Sequence, residues 1–165
     1  MREEVAELLA NKKDLLTITY FKLQKLFEKK YGKNTVVLME IGTFFEVYEV
    51  NNEKEKIGKA KEIAELLNIQ LTRKNKSILE NSKENPIMAG VPAISFEKHL
   101  ARIIAEQKYT IAIIKQKGTP PNVSRYLDVV VSPGTNFDFV VEQDDNFITS
   151  IVIDQIRGNY LIGYS

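Results

Sequence analysis

The run Thr35-Val36-Val37-Leu38-Met39-Glu40-Ile41 is almost wholly β-branched or apolar, Gly42 interrupts it, and Phe44 to Val50 resumes with residue-by-residue alternation. A continuous apolar stretch of this length fits a strand buried on both faces, and an alternating one fits a strand with two unlike faces. A glycine between them predicts either a strand pair or one long bent strand. Whatever else the chain does, it must build a sheet around residues 35–50 and cover that sheet with helices.

The covering elements are legible from their periodicity. Thr17 reads as the cap of a helix in which Tyr20, Leu23, Phe27 and Tyr31 recur at helical spacing, with Lys22, Lys25 and Lys29 on another face and Gly32 as the stop. Ala60, Ile63, Ala64 and Leu67 mark a second helix that ends near Asn68, followed by an extended run from Ile69 to Thr72. Arg73 to Pro86 is polar and reads as an exposed loop with a basic tip. After Ile87-Met88-Ala89-Gly90-Val91-Pro92, Ser95 can cap a third helix through Phe96, Leu100, Ile103 and Ile104. Strands are expected at Tyr109 to Lys115 and Tyr126 to Ser132, with Pro133-Gly134 as terminator. The interleaving predicts an α/β (α+β) domain, a mixed β-sheet flanked by about three helices.

Phe147 to Asp154 and Tyr160 to Ser165 read as a hairpin that opens a new sheet and stops in mid-strand. Because an unfinished sheet edge exposes unpaired backbone groups, the sequence is expected to be the N-terminal fragment of something larger. The boundaries expected are an extension over 1–16, a main domain over 17–135, and a linker with the start of a further domain over 136–165.

Composition removes several chemistries. Among 165 residues there is no cysteine and one histidine, His99, which leaves no thiolate nucleophile, disulfide or zinc ribbon, and no site needing two imidazoles. Apolar runs such as Thr110 to Ile114 fall far short of the roughly 20 residues of a membrane helix, and no leader pattern opens the chain; an intracellular protein is expected. Residues 1–118 carry 21 Lys+Arg against 16 Asp+Glu and residues 119–165 carry 2 against 6, so the main body is mildly basic, as suits a polyanion partner.

Three minor constellations point less far. Gly158 and Gly163 have the spacing of a phosphate loop, but Tyr164 stands where its lysine belongs, so a hairpin turn is expected. Glu106-Gln107-Lys108 could be the trailing half of a metal-dependent nuclease motif, with Glu106 as ligand and Lys108 polarising water, although the sequence does not place the second carboxylate. His99 reads as an ordinary helix-flank residue.

Met39 to Tyr48 is the informative segment. Alternation puts Phe44 and Glu46 on one face and Phe45 and Val47 on the other. One face cannot easily serve as core for a phenyl ring and as water for a carboxylate, so Phe44 and Glu46 are expected to be exposed together as a recognition pair.

Here the sequence resembles the N-terminal mismatch-recognition domain of the MutS family of DNA mismatch repair proteins. Gly42-Thr43-Phe44-Phe45-Glu46 is similar to that family's Gly-Asp-Phe-Tyr-Glu, Leu71-Thr72-Arg73 to its Leu-Thr-(Lys/Arg), and Pro86 to Pro92 to its Pro-Met-Ala-Gly-(Ile/Val)-Pro. Val130-Val131-Ser132-Pro133-Gly134-Thr135 is similar to its Val-Thr-Pro-Gly-Thr, and the hairpin after 147 to the start of its connector domain. Thr43 in place of Asp, Ala93-Ile94 in place of an aromatic-His pair, and Ile114-Lys115-Gln116 in place of Cys-Glu-Gln mark a divergent branch.

The resemblance implies recognition of mispaired or unpaired bases in double-stranded DNA, with Phe44 inserted at a kink and Glu46 hydrogen-bonding a base. Contacts to the DNA backbone or groove would come from Arg73, Lys74, Lys76, Met88, Ala89 and Gly90. It implies no catalysis in this fragment; ATP and magnesium, a homo- or heterodimer contact and a MutL-type repair partner would belong to the whole parent, intracellular in any case and, if prokaryotic, in the cytoplasm or at the nucleoid. A metal-dependent nuclease and a protein-interaction module remain as alternatives from other classes.

Overall fold

The computed structural model describes residues 1–135, 151–156 and 159–164. Two compact units result, Met1–Pro133 and Gly134–Ser165. In chain order the first holds α1 (Arg2–Ala10), α2 (Leu16–Tyr31), β1 (Thr35–Ile41), β2 (Phe44–Asn51), β3 (Lys56–Gly58), α3 (Ala60–Leu67), β4 (Thr72–Arg73), β5 (Ile87–Pro92), α4 (Phe96–Ala105), β6 (Thr110–Lys117) and β7 (Ser124–Val131). The second contains the hairpin of β8 (Ile151–Ile156) and β9 (Asn159–Tyr164), whose antiparallel ladder closes from Ile151↔Tyr164 to Ile156↔Asn159. Phe147 to Ser150, expected as part of that hairpin, lie outside the described residues.

The main sheet has seven strands in the order β4-β5-β2-β1-β6-β7, with β3 added beside β2. Among the described residues only β1 and β6 pair in parallel and the other ladders of this sheet are antiparallel, so the expected mixed α+β sheet is what the chain forms. Of the two outcomes open for residues 35–50, the antiparallel pair is the one adopted. Gly42, at φ 61°, and Thr43 make its two-residue turn. Tight hairpins require positive φ at such a position, which glycine adopts without steric cost.

One core layer lies under α1 and α2, where Val37, Met39, Tyr48, Val50, Ala112 and Ile114 of the sheet meet Val5, Tyr20, Phe21, Leu23 and Phe27. The other lies under α3 and α4, where Phe45 and Val47 meet Ile63, Leu67, Phe96 and Ile103. β1 and β2 share only three pairs, Met39↔Glu46 to Ile41↔Phe44, because β2 turns away to pair with β3. The freed edge of β1 is taken up by α2. Buried Gln24 donates to Thr35 O at 2.7 Å and accepts from Val37 N–H at 3.0 Å, while Tyr20 Oη donates to Val37 O at 2.8 Å. Edge groups that would otherwise be buried without partners are thus satisfied by side chains.

The extension over 1–16 holds a fourth helix, α1, whose Val5 is fully buried against α2 and β7. Several local expectations need correction. Thr17 does not cap α2. Leu15 occupies that position, and Thr17 is buried as the second residue of the helix. The extended run from Ile69 shortens to the two residues of β4, because only Thr72 and Arg73 find partners, Met88 and Ile87. Ser95 stands at the start of α4 without a side-chain capping bond, since its hydroxyl turns back to Pro92 O. Among the described residues, no helix is long and apolar enough to cross a membrane.

Candidate functional site

Phe44 and Phe45 are neighbours in β2 with opposite fates. Phe45 is 4% exposed and stacks on Phe96 of α4 with ring centroids 3.7 Å apart, whereas Phe44 is 45% exposed. Pleating alone separates them. Phe44 faces the α2 side of the sheet but stands at its end, opposite Pro92.

The turn that carries Phe44 is tied from two directions. Gln116 of β6 donates from Nε2 to Gly42 O at 2.8 Å and accepts Gly42 N–H at Oε1 at 3.1 Å; on the far side Ala93 N–H donates to Thr43 O at 2.8 Å. Ile94, directly after that tether, is 98% exposed and adds a bare apolar side chain beyond Pro92.

Glu46, two residues along the same face, lies opposite Gly90. A Cβ on Gly90 would stand 3.3 Å from Phe45 O, 3.5 Å from Glu46 Cγ and 3.8 Å from Phe44 Cδ1. The missing side chain leaves open the space beside both Phe44 and Glu46. Glu46 is not a free carboxylate: the buried Tyr48 donates its hydroxyl to Glu46 Oε2, and Lys74 Nζ lies 3.5 Å from the same oxygen. Lys74 Nζ also donates to Tyr48 Oη at 3.2 Å and sits 5.5 Å from its ring centroid. Burial first, and then the Glu46 carboxylate, push the Tyr48 hydroxyl above its ordinary value, so at neutral pH it is a fixed donor.

Arg125 reaches the same neighbourhood from β7. Its Nε donates to Glu40 O at 3.3 Å, and burial pulls its guanidinium below the ordinary value against the opposing pull of Tyr48, Glu40 and Glu46.

The structure therefore gathers Phe44, Glu46, Lys74, Met88 and Gly90 of the expected residues on one face, with Met88 opposite Tyr48. Three others are placed differently. Ala89 is 1% exposed, packed on the α3 side, so its side chain belongs to the core and not to a ligand surface. Arg73 alternates to that side too and donates to Leu79 O in its own loop. Lys76 is exposed on the loop. Tyr48, Gln116 and Arg125 join the site without having been expected there: Tyr48 follows from extending the Phe-x-Glu period by two, while Gln116 and Arg125 are brought in across the sheet.

The other constellations resolve simply. Lys108 is engaged by Glu62 at 3.4 Å and Tyr109 at 3.2 Å, and Glu106 ends α4 on the surface. No group of three or more metal-ligating side chains occurs among the described residues. His99 Nδ1 is 2.8 Å from Ser95 O, a local helix contact.

Comparison with known proteins agrees with the motifs. The family model described as MutS domain I matches residues 20–140. A putative DNA mismatch repair protein, a mutS homolog of Acanthamoeba polyphaga mimivirus, is 31% identical over 88% of this chain and 13% of its own length. The DNA mismatch repair protein MutS of Lactococcus lactis subsp. cremoris is 29% identical over 86% of the chain and 16% of its own. That of Halothermothrix orenii is 29% identical over 76% and 13%. The chain thus spans about a seventh of the length of these relatives.

Proposed function

As a member of the MutS family through that family's domain I, this chain, we propose, binds double-stranded DNA and singles out mispaired or unpaired bases by driving Phe44 into the duplex. The observation that carries the reading is the half-exposed Phe44 ring at a strand end, on the same face as the Glu46 carboxylate and beside the bare Gly90.

An apolar wedge entering a base step must partly unstack it and kink the helix, at a cost of about a few kcal/mol per step. A mispaired step is already poorly stacked and deformable, so the same insertion costs less there, and discrimination arises without reading sequence. Phe44 has the exposure this needs, and its turn is tethered by Gln116 and Ala93, so little ordering has to be supplied on binding.

Glu46 supplies the second element. A carboxylate brought against a polyanion is repelled unless a base offers it a donor. Tyr48 and Lys74 occupy Oε2, which leaves Oε1 as the oxygen to meet a base edge. Lys76 and the Arg73 loop would add phosphate contacts that position without specifying. The domain acts by binding, not by catalysis; ATP with magnesium, dimerisation and a MutL-type partner belong to the whole protein on this reading.

Competition binding with matched and mismatched duplexes tests the proposal. Phe44→Ala in the full-length protein should abolish preference for the mismatch with the fold intact. Preference surviving that substitution would sink it.

A further inference from the structure

An open groove of about 830 Å³ lies between α1 and the start of β7. Arg2 of α1, Lys12 and Asp14 of the following turn, and Arg125 and Asp128 of β7 supply its charges. These are sorted in an informative way. Asp14 is paired with Lys22 at 2.6 Å and Asp128 with Lys115 at 2.8 Å, and neither lysine lines the groove. Both carboxylates are therefore offset from outside.

Arg2, Lys12 and Arg125 have no such partner. Among the described residues none of the three has a carboxylate within 4.0 Å. Arg125 also leaves the terminal nitrogens of its guanidinium without a protein acceptor there, since its one hydrogen bond is made by Nε. A half-buried cation in that condition is stabilised by an arriving anion, and the guanidinium fork suits a phosphate oxygen pair. The same side chain bonds Glu40 O on β1 and lies opposite Gln116, which holds the Gly42–Thr43 turn, so the β7 wall of the groove is tied to the strand ends that carry Phe44.

We propose that this groove is a second seat for the sugar-phosphate backbone of the duplex that Phe44 enters, with Arg2, Lys12 and Arg125 of its lining as the phosphate contacts. The N-terminal helix is then part of the DNA-binding surface. This inference rests on the duplex-binding reading above. That tie to the strand ends carrying Phe44 favours the same duplex over an acidic protein segment, which would meet the same charges without that geometric reason to be there.

The test is a salt titration of the full-length Arg2→Gln/Lys12→Gln variant on matched and mismatched duplexes, beside Phe44→Ala. Both groove residues are exposed, and an unchanged thermal midpoint checks that the fold survives; Arg125 is left in place because it is half-buried and bonded to β1. The slope of log affinity against log salt should fall by about 0.9 for each phosphate that the variant no longer neutralises, equally on both duplexes, with the mismatch preference retained. An unchanged slope overturns the groove proposal and leaves the groove to an acidic protein segment. If the slope is unchanged while Phe44→Ala abolishes preference, the groove alone fails. If the slope flattens while Phe44→Ala keeps its preference, the groove stands as a polyanion seat and the mismatch reading fails.

Discussion

Gln116 grips Gly42 by both of its backbone groups, donating to the carbonyl at 2.8 Å and accepting from the N–H at 3.1 Å. A side chain from β6 therefore sets the position of a turn that β1 and β2 alone would leave to fray. The contact is exposed, so its removal should cost little stability, about 1 kcal/mol, while loosening the turn that carries Phe44. Gln116→Ala should accelerate hydrogen exchange at the Gly42 amide and reduce mismatch preference several-fold. Unchanged exchange would show that the turn is held without it.

The two phenylalanines give a paired prediction. Phe45→Ala removes a ring stacked on Phe96 and should destabilise the fold by about 3–5 kcal/mol, whereas Phe44→Ala should cost under about 1 kcal/mol and act only on binding. Chemical denaturation of both variants checks this. Equal losses would mean that the Phe44 ring is part of the core.

Lys74 is expected to behave unlike the other cations of its loop. Because it lies 3.5 Å from Glu46, Lys74→Gln should shift the ratio of matched to mismatched affinity as well as weakening both. Lys76→Gln should weaken both duplexes alike and, where Lys76 neutralises one phosphate, reduce the salt slope by about 0.9. Affinities at several salt concentrations distinguish the two patterns, and identical behaviour would count against the coupling of Lys74 to Glu46.

Tyr48→Phe deletes only the hydroxyl that orients Glu46, leaving the ring against Tyr20. Mismatch preference should drop toward that of Glu46→Gln, with a stability loss of about 0.5–1.5 kcal/mol. In the Tyr48→Phe background, Glu46→Gln should then have a smaller effect than it has alone. Strict additivity of the two substitutions would show that the hydroxyl does not act through Glu46.

A pH effect is expected away from the site. Hydrogen bonding from Lys83, opposed by burial and aided by Lys25, holds Glu55 below its ordinary value, with ion pairs of 2.7 and 2.9 Å. A carboxyl depressed in the folded state contributes stability that is full above its unfolded value, about 4.3, and is lost as pH falls through the folded one. The part of the acid-side loss that Glu55→Gln abolishes should be at most about 1 kcal/mol, since the lysines are partly exposed. Denaturation midpoints of both proteins between neutral pH and about pH 3 measure it.

Much of this was legible in the sequence because period-two and period-3.6 patterns report burial directly. The opposition of Phe44 and Phe45 needed nothing else. Helix α1 gives only a short signal: Met1, Val5, Leu8 and Leu9 recur at helical spacing and pack on the core, but they span little more than two turns and Val5 alone among them is fully buried. Lys74 could not be told from Arg73 and Lys76 within a polar loop; the two residues of β4 decide it by fixing which side each side chain takes. Arg125 and Gln116 reach the site across neighbouring strands, and no local pattern announces a contact between residues so distant along the chain.

The pleat of β2 gives this surface an all-or-none inheritance. A one-residue slip of β2 against its neighbours would send Phe45 outward, Phe44 inward, and the carboxylate of Glu46 beneath α3 and α4. No graded drift leads from one arrangement to the other. The guard against that slip is the six-pair ladder to β5 and the stacking of Phe45 on Phe96, so an added turn residue should be taken up as a longer loop, with the two faces of β2 unchanged.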